Sequence, residues 1–275
     1  MRAGSPETPG SKKGFFPAQQ GRMPVIFIGH GSPENALGKN EYTTGWNQLG
    51  TSLPRPRLIL CISAHWVIRE GTAVTAMSRP KTIHDFYGFP EEFYALHYDA
   101  PGSPEGARLV QRVVRSASVN PDYEWGLDHG TWSVLLHMFP EADIPVVQLS
   151  LNYNHPHPLH FAIGEELREL RDLGVLIIGS GNLVHNLRLL RMGEESYPWA
   201  VDFYHTIKNL VAKQDYPSLV SWRELNNAAL AHPTSEHYLP LLYVLGAAGN
   251  ERPRFFNETI FGGSVSMSCI VFGMK

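Results

Sequence analysis

Several histidines in this sequence directly follow short apolar segments. His30 follows segment 24–28, His65 follows segment 58–62, and His185 lies shortly after segment 175–178. Imidazole binds Fe, Zn, Cu and Ni, and it is also the side chain best suited to acid–base work near neutral pH. The carboxyl ends of parallel strands meet at one edge of an open α/β sheet, where ligands bind. If the segments are parallel strands, the three rings are expected to lie at that edge.

His237 also has a sequence context that suits a site. It follows possible N-cap residues at 234 and 235 and precedes an apolar segment, so we expect it in the first turn of a helix. The positive end of the helix dipole disfavours imidazolium, which keeps the ring neutral and able to bind a metal. The same reasoning places His185 in the first turn of a helix capped by Asn182.

Other candidates have two interpretations each. Glu236 is either a metal ligand or a capping residue, and we favour capping. His129 is either a site residue or a loop residue before a helix over 132–139. His84 lies in an aromatic segment rich in Gly and Pro, which is typical of a substrate-covering loop or of a packed surface loop. The two histidines within 154–158 alternate with prolines, which indicates an extended loop and not a metal site.

The pattern of apolar residues predicts an α/β fold around these histidines. Continuous apolar segments are expected of strands buried on both faces, and they occur at 24–28, 58–62, 145–149 and 175–178. Helical patterns alternate with them, over 105–116, 158–173 and 200–213. The segments 252–256 and 265–272 flank a Gly-Gly pair and predict a C-terminal antiparallel strand pair. We therefore predict a mostly parallel central sheet with helices on both faces.

Length and composition define the class of protein. The 275 residues suit one large domain, which we place at 23–275 after a flexible leader at 1–22 that is rich in Gly, Pro, Ser and Lys. The net charge of −3 argues against nucleic acid or an anionic membrane as the partner. No segment has the length of a transmembrane helix or the character of a secretory signal. The two cysteines lie in apolar segments, as expected of buried thiols in a reducing compartment, so we predict a cytoplasmic protein.

A group of histidines around an ion with open coordination positions permits two chemistries. One is oxygen activation by non-haem Fe(II), and the other is hydrolysis of an amide or ester by zinc-activated water. A non-catalytic metal-binding domain is a third interpretation. The number of ligands does not distinguish these possibilities, and an additional histidine as a base fits both enzymes.

Six motifs carry a family resemblance. They are GHGSP at 29–33, SAHW at 63–66, TIHDFYGFP at 82–90, DHGTW at 128–132, GSGNLVHNL at 179–187 and PTSEHYLP at 233–240. In this order they resemble the class III extradiol ring-cleavage dioxygenases, and most of all the DOPA 4,5-dioxygenase branch. The resemblance runs from about residue 23 to the C-terminus.

The resemblance implies an α/β fold with one divalent metal, Fe(II) in the active enzyme, although Zn(II) can occupy such a site in preparations. The wider superfamily has a carboxylate as the late ligand, where the DOPA branch has a histidine. The residues that match by motif are the metal ligands His30, His65 and His237, the base and additional candidate ligand His185, the second active-site histidine His129 and the substrate-facing His84.

The reaction implied by the resemblance is opening of a catechol ring with O₂. His185 would take the second phenolic proton as the catecholate forms, and His129 would stabilise dioxygen or supply a proton during the rearrangement. The expected partners are a small catechol and O₂, with neither nucleic acid nor membrane, and the DOPA branch suggests a monomer. The identity of the catechol and the bond that is cleaved stay open, and a zinc-dependent hydrolase on the same scaffold is the alternative.

Overall fold

A computed structural model provides the structure of the protein and describes residues 21–191, 193 and 195–274. The predicted leader over 1–22 lies outside these residues except for its last two positions. The β-strands of the described chain are β1 (Val25–Gly29), β2 (Leu58–Ile68), β3 (Thr72–Thr75), β4 (Lys81–Thr82), β5 (Val119–Asp122), β6 (Gly126–Leu127), β7 (Val146–Asn152), β8 (Val175–Gly181), β9 (Pro253–Phe256), β10 (Ile260–Phe261), β11 (Val265–Ser266) and β12 (Cys269–Phe272). The α-helices are α1 (Glu41–Ser52), α2 (Glu91–Tyr94), α3 (Pro104–Val113), α4 (His129–Met138), α5 (His157–Arg171), α6 (Pro198–Lys213), α7 (Tyr216–Val220), α8 (Ala228–Ala231) and α9 (Leu239–Ala248).

The central sheet has eight strands in the order β5-β3-β7-β2-β8-β1-β12-β9. The four strands predicted from the apolar segments, β7, β2, β8 and β1, are neighbours and run parallel. Strand β12 pairs antiparallel with both β1 and β9, which confirms the predicted C-terminal antiparallel pair. The Gly-Gly pair does not join these two strands directly, because it forms the turn of a separate small hairpin, β10–β11.

Side chains of the parallel strands alternate between two hydrophobic cores, one on each face of the sheet. In β1, Val25 and Phe27 belong to one core, whereas Ile26 and Ile28 belong to the other. Helices α3, α5, α6 and α9 contribute to the first core, and α1 and α4 contribute to the second. Helices therefore cover both faces, as predicted, which explains why these strands are continuously apolar.

Strand β2 extends beyond its apolar segment and contains an irregularity. Its register with β7 passes from Ile62↔Leu149 directly to Val67↔Leu151, so five steps along β2 are opposed by two along β7. His65 lies within this bulged stretch. A β-bulge redirects side chains locally, and such bulges are common beside functional sites.

The two predicted helix starts after Asn182 and before His237 are wrong. The chain after β8 bends at 183–184 without forming a helix, and His185 forms an antiparallel β-bridge with Val265. Helix α9 begins at Leu239, so His237 lies in the preceding turn. At Asn182 a hydrogen bond to a distant segment replaces helix capping, since its side chain donates to the Ser266 carbonyl.

In the part of the chain that the structure describes, no helix combines the length and the apolar character needed to cross a bilayer.

Candidate active site

Five of the six predicted site histidines meet at the carboxyl edge of the parallel strands. Ring-to-ring contacts at centroid distances between 3.5 and 5.7 Å connect His30, His65, His129, His185 and His237. The Nε2 atoms of His30 and His65 lie 3.1 Å apart. Three of these histidines offer ligand atoms that all lie within 4.8 Å of one another: His30, His65 and His237.

His30 is held by a serine from the neighbouring strand β8. The His30 ring is buried, and its Nδ1 lies 2.9 Å from Ser180 Oγ. The Ser180 hydroxyl donates its proton to the Gly130 carbonyl at 2.5 Å, so it accepts a hydrogen bond from His30 Nδ1–H. The lone pair of His30 is therefore on Nε2, the atom that faces His65.

His65 is held in the same way by a carboxylate. Its Nδ1 lies 3.0 Å from Asp85 Oδ2, which accepts hydrogen bonds when it is ionised. The ring lies against the first turn of α4, where Gly130 leaves room for it. A Cβ at Gly130 would meet Ser63 Oγ at 2.7 Å and His65 Cδ2 at 2.9 Å. When the His65 ring is neutral, its lone pair is thus on Nε2 as well.

The remaining two histidines stack on each other beside this pair. His185 and His237 have ring centroids 3.5 Å apart and planes 6° apart. The turn that carries His237 lies directly on the end of β8, where its carbonyl accepts a hydrogen bond from Asn182 N at 2.9 Å. This approach requires Gly181, because a Cβ there would collide with the same carbonyl oxygen.

His129 is the first residue of α4, not a residue of the loop before the helix. Asp128 caps this helix by accepting a hydrogen bond from Thr131 N at 3.2 Å. The His129 backbone N–H donates to Asp85 Oδ1 at 2.9 Å. Its ring Nδ1 lies 3.0 Å from Asp85 Oδ2, although outside good hydrogen-bond geometry.

The donor set fits one divalent transition metal. The Nε2 atoms of His30 and His65, 3.1 Å apart, can share one proton in a hydrogen bond, and they can bind one cation when neither carries a proton. Two imidazole nitrogens bound to one ion at about 2.1 Å and at right angles lie about 3 Å apart, which matches the observed spacing. His237 Nδ1 is buried without a hydrogen-bond partner among the described residues, as a nitrogen that is available as a ligand would be.

Comparison with known proteins identifies the family. A family model described as the catalytic LigB subunit of aromatic ring-opening dioxygenase matches residues 28–268. The chain belongs to this family. Its relatives include a 4,5-DOPA dioxygenase extradiol of Escherichia coli K12, 47% identical over 92% of this chain and 95% of the relative. The enzyme of the same name from Beta vulgaris is 36% identical over 90% of this chain and 96% of the relative.

A solved structure supports the same assignment. The crystal structure of an uncharacterized protein from Escherichia coli K12 superimposes with a TM-score of 0.80 at 43% identity, covering 92% of this chain and 100% of that one. The prediction of an extradiol ring-opening dioxygenase similar to the 4,5-DOPA enzymes is confirmed, and it is preferred to the hydrolase alternative.

Burial lowers the pKa of four of the five clustered histidines in this dioxygenase, which are His30, His129, His185 and His237. Burial first, and neighbouring imidazoles second, lower the pKa of His30 and His237 well below the usual value and lower the pKa of His185 to about 3. A neutral ring is what a ligand or a base requires. The helix dipole expected from the sequence is not the cause, because neither His185 nor His237 lies in a helix.

His65 differs from the other histidines of the cluster because its Nδ1 pairs with the Asp85 carboxylate. Burial lowers the pKa of His65. The hydrogen bond to Asp85 and the charges of nearby carboxylates raise it by more than burial lowers it, so the net shift is upward. Burial raises the pKa of Asp85, but His129 and His65 together hold it well below its usual range. Asp85 is therefore an ionised carboxylate beside the candidate metal site. The side chains of His65 and Asp85 are each 18% exposed, so solvent reaches the cluster from this side.

His84 is the predicted site residue that the structure does not bring into the cluster. Its Nε2 lies 2.9 Å from the Leu96 carbonyl oxygen, and its ring contacts include Phe86 and Trp132. Its role toward substrate stays a prediction.

Glu236 lies beside the cluster without joining the group that could hold a metal. It accepts a hydrogen bond from the Thr234 hydroxyl at 2.6 Å, and its carboxylate is 3.6 Å from His237 Nδ1. Helix α9 has Tyr238 at its N-cap position, and no side chain makes a capping hydrogen bond there. The capping interpretation of Glu236 is therefore wrong.

Sequence reasoning missed the polar residues that hold the histidines in place. Asp85 is next to His84 in one of the quoted motifs, and the His-Asp pair was the signal that could have found it. Ser63, Asp128 and Gln148 form a buried network below the site, in which Asp128 accepts hydrogen bonds at 2.7 Å from both other side chains. Ser63 and Asp128 lie within two of the quoted motifs, but their contact with each other and with Gln148 joins segments distant in the chain.

Proposed function

We propose that this enzyme opens the ring of a catechol bearing a DOPA-like side chain, using O₂ and one Fe(II) held by His30, His65 and His237. The observation that carries the proposal is the convergence of three imidazole donors within 4.8 Å of one another. Two further histidines, His129 and His185, contact this group without belonging to it. Such a set provides both ligands and acid–base groups in one place.

Iron in this site supplies Lewis acidity to the diol and a path for electrons between the ring and O₂. The protein supplies the proton transfers. His185 stacks on His237 and is neutral, so it has a lone pair that can accept the second phenolic proton. A bound catecholate beside the ring would raise its proton affinity, because an opposite charge nearby favours imidazolium.

His129 lies on the other side of the group, with its ring centroid 3.9 Å from that of His65. We assign it the stabilisation of negative charge on oxygen, or the delivery of a proton, as the ring rearranges. Its backbone position at the first residue of α4 fixes the ring relative to the site. General acid–base groups of this kind contribute roughly 10²–10⁴-fold to a rate.

An aromatic segment borders the site on the side of His129. The Phe86 ring packs edge-on against His129 at 5.7 Å and also contacts Tyr94 and Trp132. An apolar wall of this kind suits a flat aromatic substrate. The two relatives described above are 4,5-DOPA dioxygenases, which supports a catechol carrying an amino-acid side chain and cleavage at the 4,5 bond.

The test is reconstitution of the metal-free protein with Fe(II) under anaerobic conditions, followed by mixing with air-saturated L-DOPA or plain catechol. We expect one O₂ consumed per catechol and the yellow absorbance of a ring-opened semialdehyde, with higher kcat/KM for L-DOPA. Absence of O₂ uptake with every catechol, together with ester or amide hydrolysis by the zinc-loaded protein, would refute the proposal.

We also infer a single-domain, monomeric, cytoplasmic enzyme. One continuous sheet includes strands from β1 to β12, which supports a single domain over 23–275. Cys61 and Cys269 are buried free thiols, and burial raises the pKa of Cys269 to about 12, as suits unreactive thiols in a reducing compartment. Light scattering of the purified protein would test the monomer.

A further inference from the structure

We infer that Asp85 is a positioning residue shared by His65 and His129, an inference that rests on the proposed function for the role of His129. One carboxylate oxygen, Oδ2, lies 3.0 Å from the Nδ1 atoms of both rings. The other oxygen, Oδ1, accepts a hydrogen bond from the His129 backbone N–H at 2.9 Å. A single side chain thus contacts a candidate metal ligand and a candidate acid–base residue.

A small parallel strand pair fixes Asp85 in this position. Strand β4 pairs with β6 in the register Thr82↔Leu127, so the residues that follow each strand stay side by side. Ile83 N continues the pairing with a hydrogen bond to the Leu127 carbonyl at 2.7 Å. The Ile83 carbonyl in turn accepts a hydrogen bond from Trp132 Nε1 of α4 at 2.8 Å. These bonds hold Ile83, two residues before Asp85, between β6 and α4, and Asp85 itself is tied to the first turn of α4 by the His129 N–H.

Asp85 determines which nitrogen of His65 faces the metal site. By accepting a hydrogen bond from Nδ1–H, it keeps the lone pair on Nε2, which is 3.1 Å from His30 Nε2. Metal-bound histidines generally donate their second nitrogen to such a partner, which sets the tautomer and the ring orientation. Ser180 plays the same part for His30, but only Asp85 also contacts a second active-site ring.

An amide cannot replace this carboxylate. Asparagine has one acceptor oxygen and one NH₂ group, which only donates. If its oxygen accepts from the His129 backbone N–H, its NH₂ faces the two Nδ1 atoms that Asp85 Oδ2 contacts. The Asp85→Asn variant therefore keeps the shape of the side chain while it removes the acceptor of the His65 Nδ1–H and the negative charge beside His129 Nδ1.

The first test measures zinc binding to the metal-free protein by calorimetry. We expect one zinc ion per wild-type chain and a 10- to 100-fold weaker Kd in Asp85→Asn, the loss typical of outer-shell partners of metal ligands. Asp143→Asn is the matched control, because it removes an equal charge from an exposed residue paired with Arg55. Circular dichroism establishes that each variant is folded. An unchanged Kd in Asp85→Asn would overturn the inference.

The stoichiometry in the same experiment distinguishes an outer-shell role from direct ligation. Asp85 also lies within 4.8 Å of ligand atoms of His65 and His129, a group that could itself hold an ion. Two zinc ions per wild-type chain, falling to one in Asp85→Asn, would make Asp85 a ligand and would refute the positioning role.

The second test reads the tautomer directly, by ¹⁵N NMR of the imidazole rings in the metal-free protein. We expect one tautomer of His65 protonated on Nδ1 in the wild type and a mixture of tautomers in Asp85→Asn. Asp85→Glu, which retains a carboxylate, should recover part of the wild-type signal. A single unchanged tautomer in Asp85→Asn would contradict the inference.

The third test addresses the contact with His129 through a double-mutant cycle on kcat for ring cleavage. If Asp85 acts through His129, then His129→Gln should lower kcat less in the Asp85→Asn background than in the wild type. Fully additive effects would remove His129 from the inference. If the wild type cleaves no catechol, the proposed function fails, whereas zinc affinity and tautomer still test the effect of Asp85 on His65.

Discussion

The Nε2 atoms of His30 and His65 lie 3.1 Å apart, although 35 residues separate them in the chain. His30 follows β1 and His65 lies in β2, and β8 separates the two strands in the sheet. Ser180 of β8 holds His30, and Asp85 holds His65, so both rings present a lone pair to the same point. The site thus depends on the order of the strands and on two polar side chains, Ser180 in β8 and Asp85 in the loop after β4.

Removal of any of the three candidate ligands should abolish tight metal binding. We expect His30→Ala, His65→Ala and His237→Ala each to weaken the Kd for zinc by more than about 100-fold, beyond the loss that outer-shell changes cause. Elemental analysis after dialysis and calorimetry would measure the effect.

Two control variants sharpen this prediction. Glu236→Gln should retain metal, since Glu236 lies outside the group that could hold an ion. His205→Ala, which changes an exposed histidine of α6, should also retain it. Retained metal in His237→Ala together with loss in Glu236→Gln would assign the third ligand to the carboxylate.

Replacement of His185 should separate catalysis from metal binding. The His185→Phe variant keeps a flat ring that can stack on His237 but has no nitrogen to accept a proton. We expect kcat to fall about 10²–10⁴-fold with metal content unchanged. Product absorbance and elemental analysis on the same sample would measure both. Turnover at the wild-type rate would remove His185 as the base, and loss of metal would make it a ligand.

Replacement of Ser180 should lower both stability and metal affinity. The Ser180→Ala variant leaves His30 Nδ1 and the Gly130 carbonyl without their shared partner in a buried environment. An unpaired buried polar group costs about 1–3 kcal/mol, and the loss of an outer-shell partner weakens metal binding about 10- to 100-fold. Urea unfolding and zinc calorimetry would measure these effects. Ser52→Ala at the exposed end of α1 should change neither, and a Ser180→Ala variant that matches it would disprove the role.

The stability of the fold should fall in mild acid, partly because of His160. Burial lowers the pKa of His160 to about 3 from its ordinary 6.5, so at pH 5 the unfolded chain binds a proton that the folded chain does not. The free energy of unfolding therefore decreases as pH falls below 6.5, by about 1.4 kcal/mol per pH unit for this group. The loss continues until pH approaches the folded pKa.

The variant His160→Gln isolates this contribution, since glutamine does not titrate but can still bond to the Tyr243 hydroxyl. The difference in unfolding free energy between pH 7.5 and pH 5 should be smaller than in the wild type by about 2 kcal/mol. Urea unfolding at the two pH values measures it in metal-free protein. Equal differences in the two proteins would show that His160 does not contribute to acid sensitivity.

The sequence by itself determined the parallel strands and several of the site residues. Strands β7, β2, β8 and β1 each contain a largely apolar segment because both of their faces are buried, and this requirement is visible in local composition. His30, His65 and His185 were found because they follow the apolar segments of these strands, although His65 itself lies within β2. The motif order then indicated the family, which the comparisons confirm.

Only the tertiary structure decided how these residues work together. The predicted helix start at Asn182 failed because its side chain bonds to the distant Ser266 carbonyl, and the helix after His237 begins only at Leu239. The His84-Asp85 pair in the sequence could have marked Asp85 as polar and functional, but not its partners, which are 20 and 44 residues away. Local periodicity reports which face of an element is buried. The nitrogen that each ring presents, and the carboxylate that orients it, depend on packing between elements far apart in the chain.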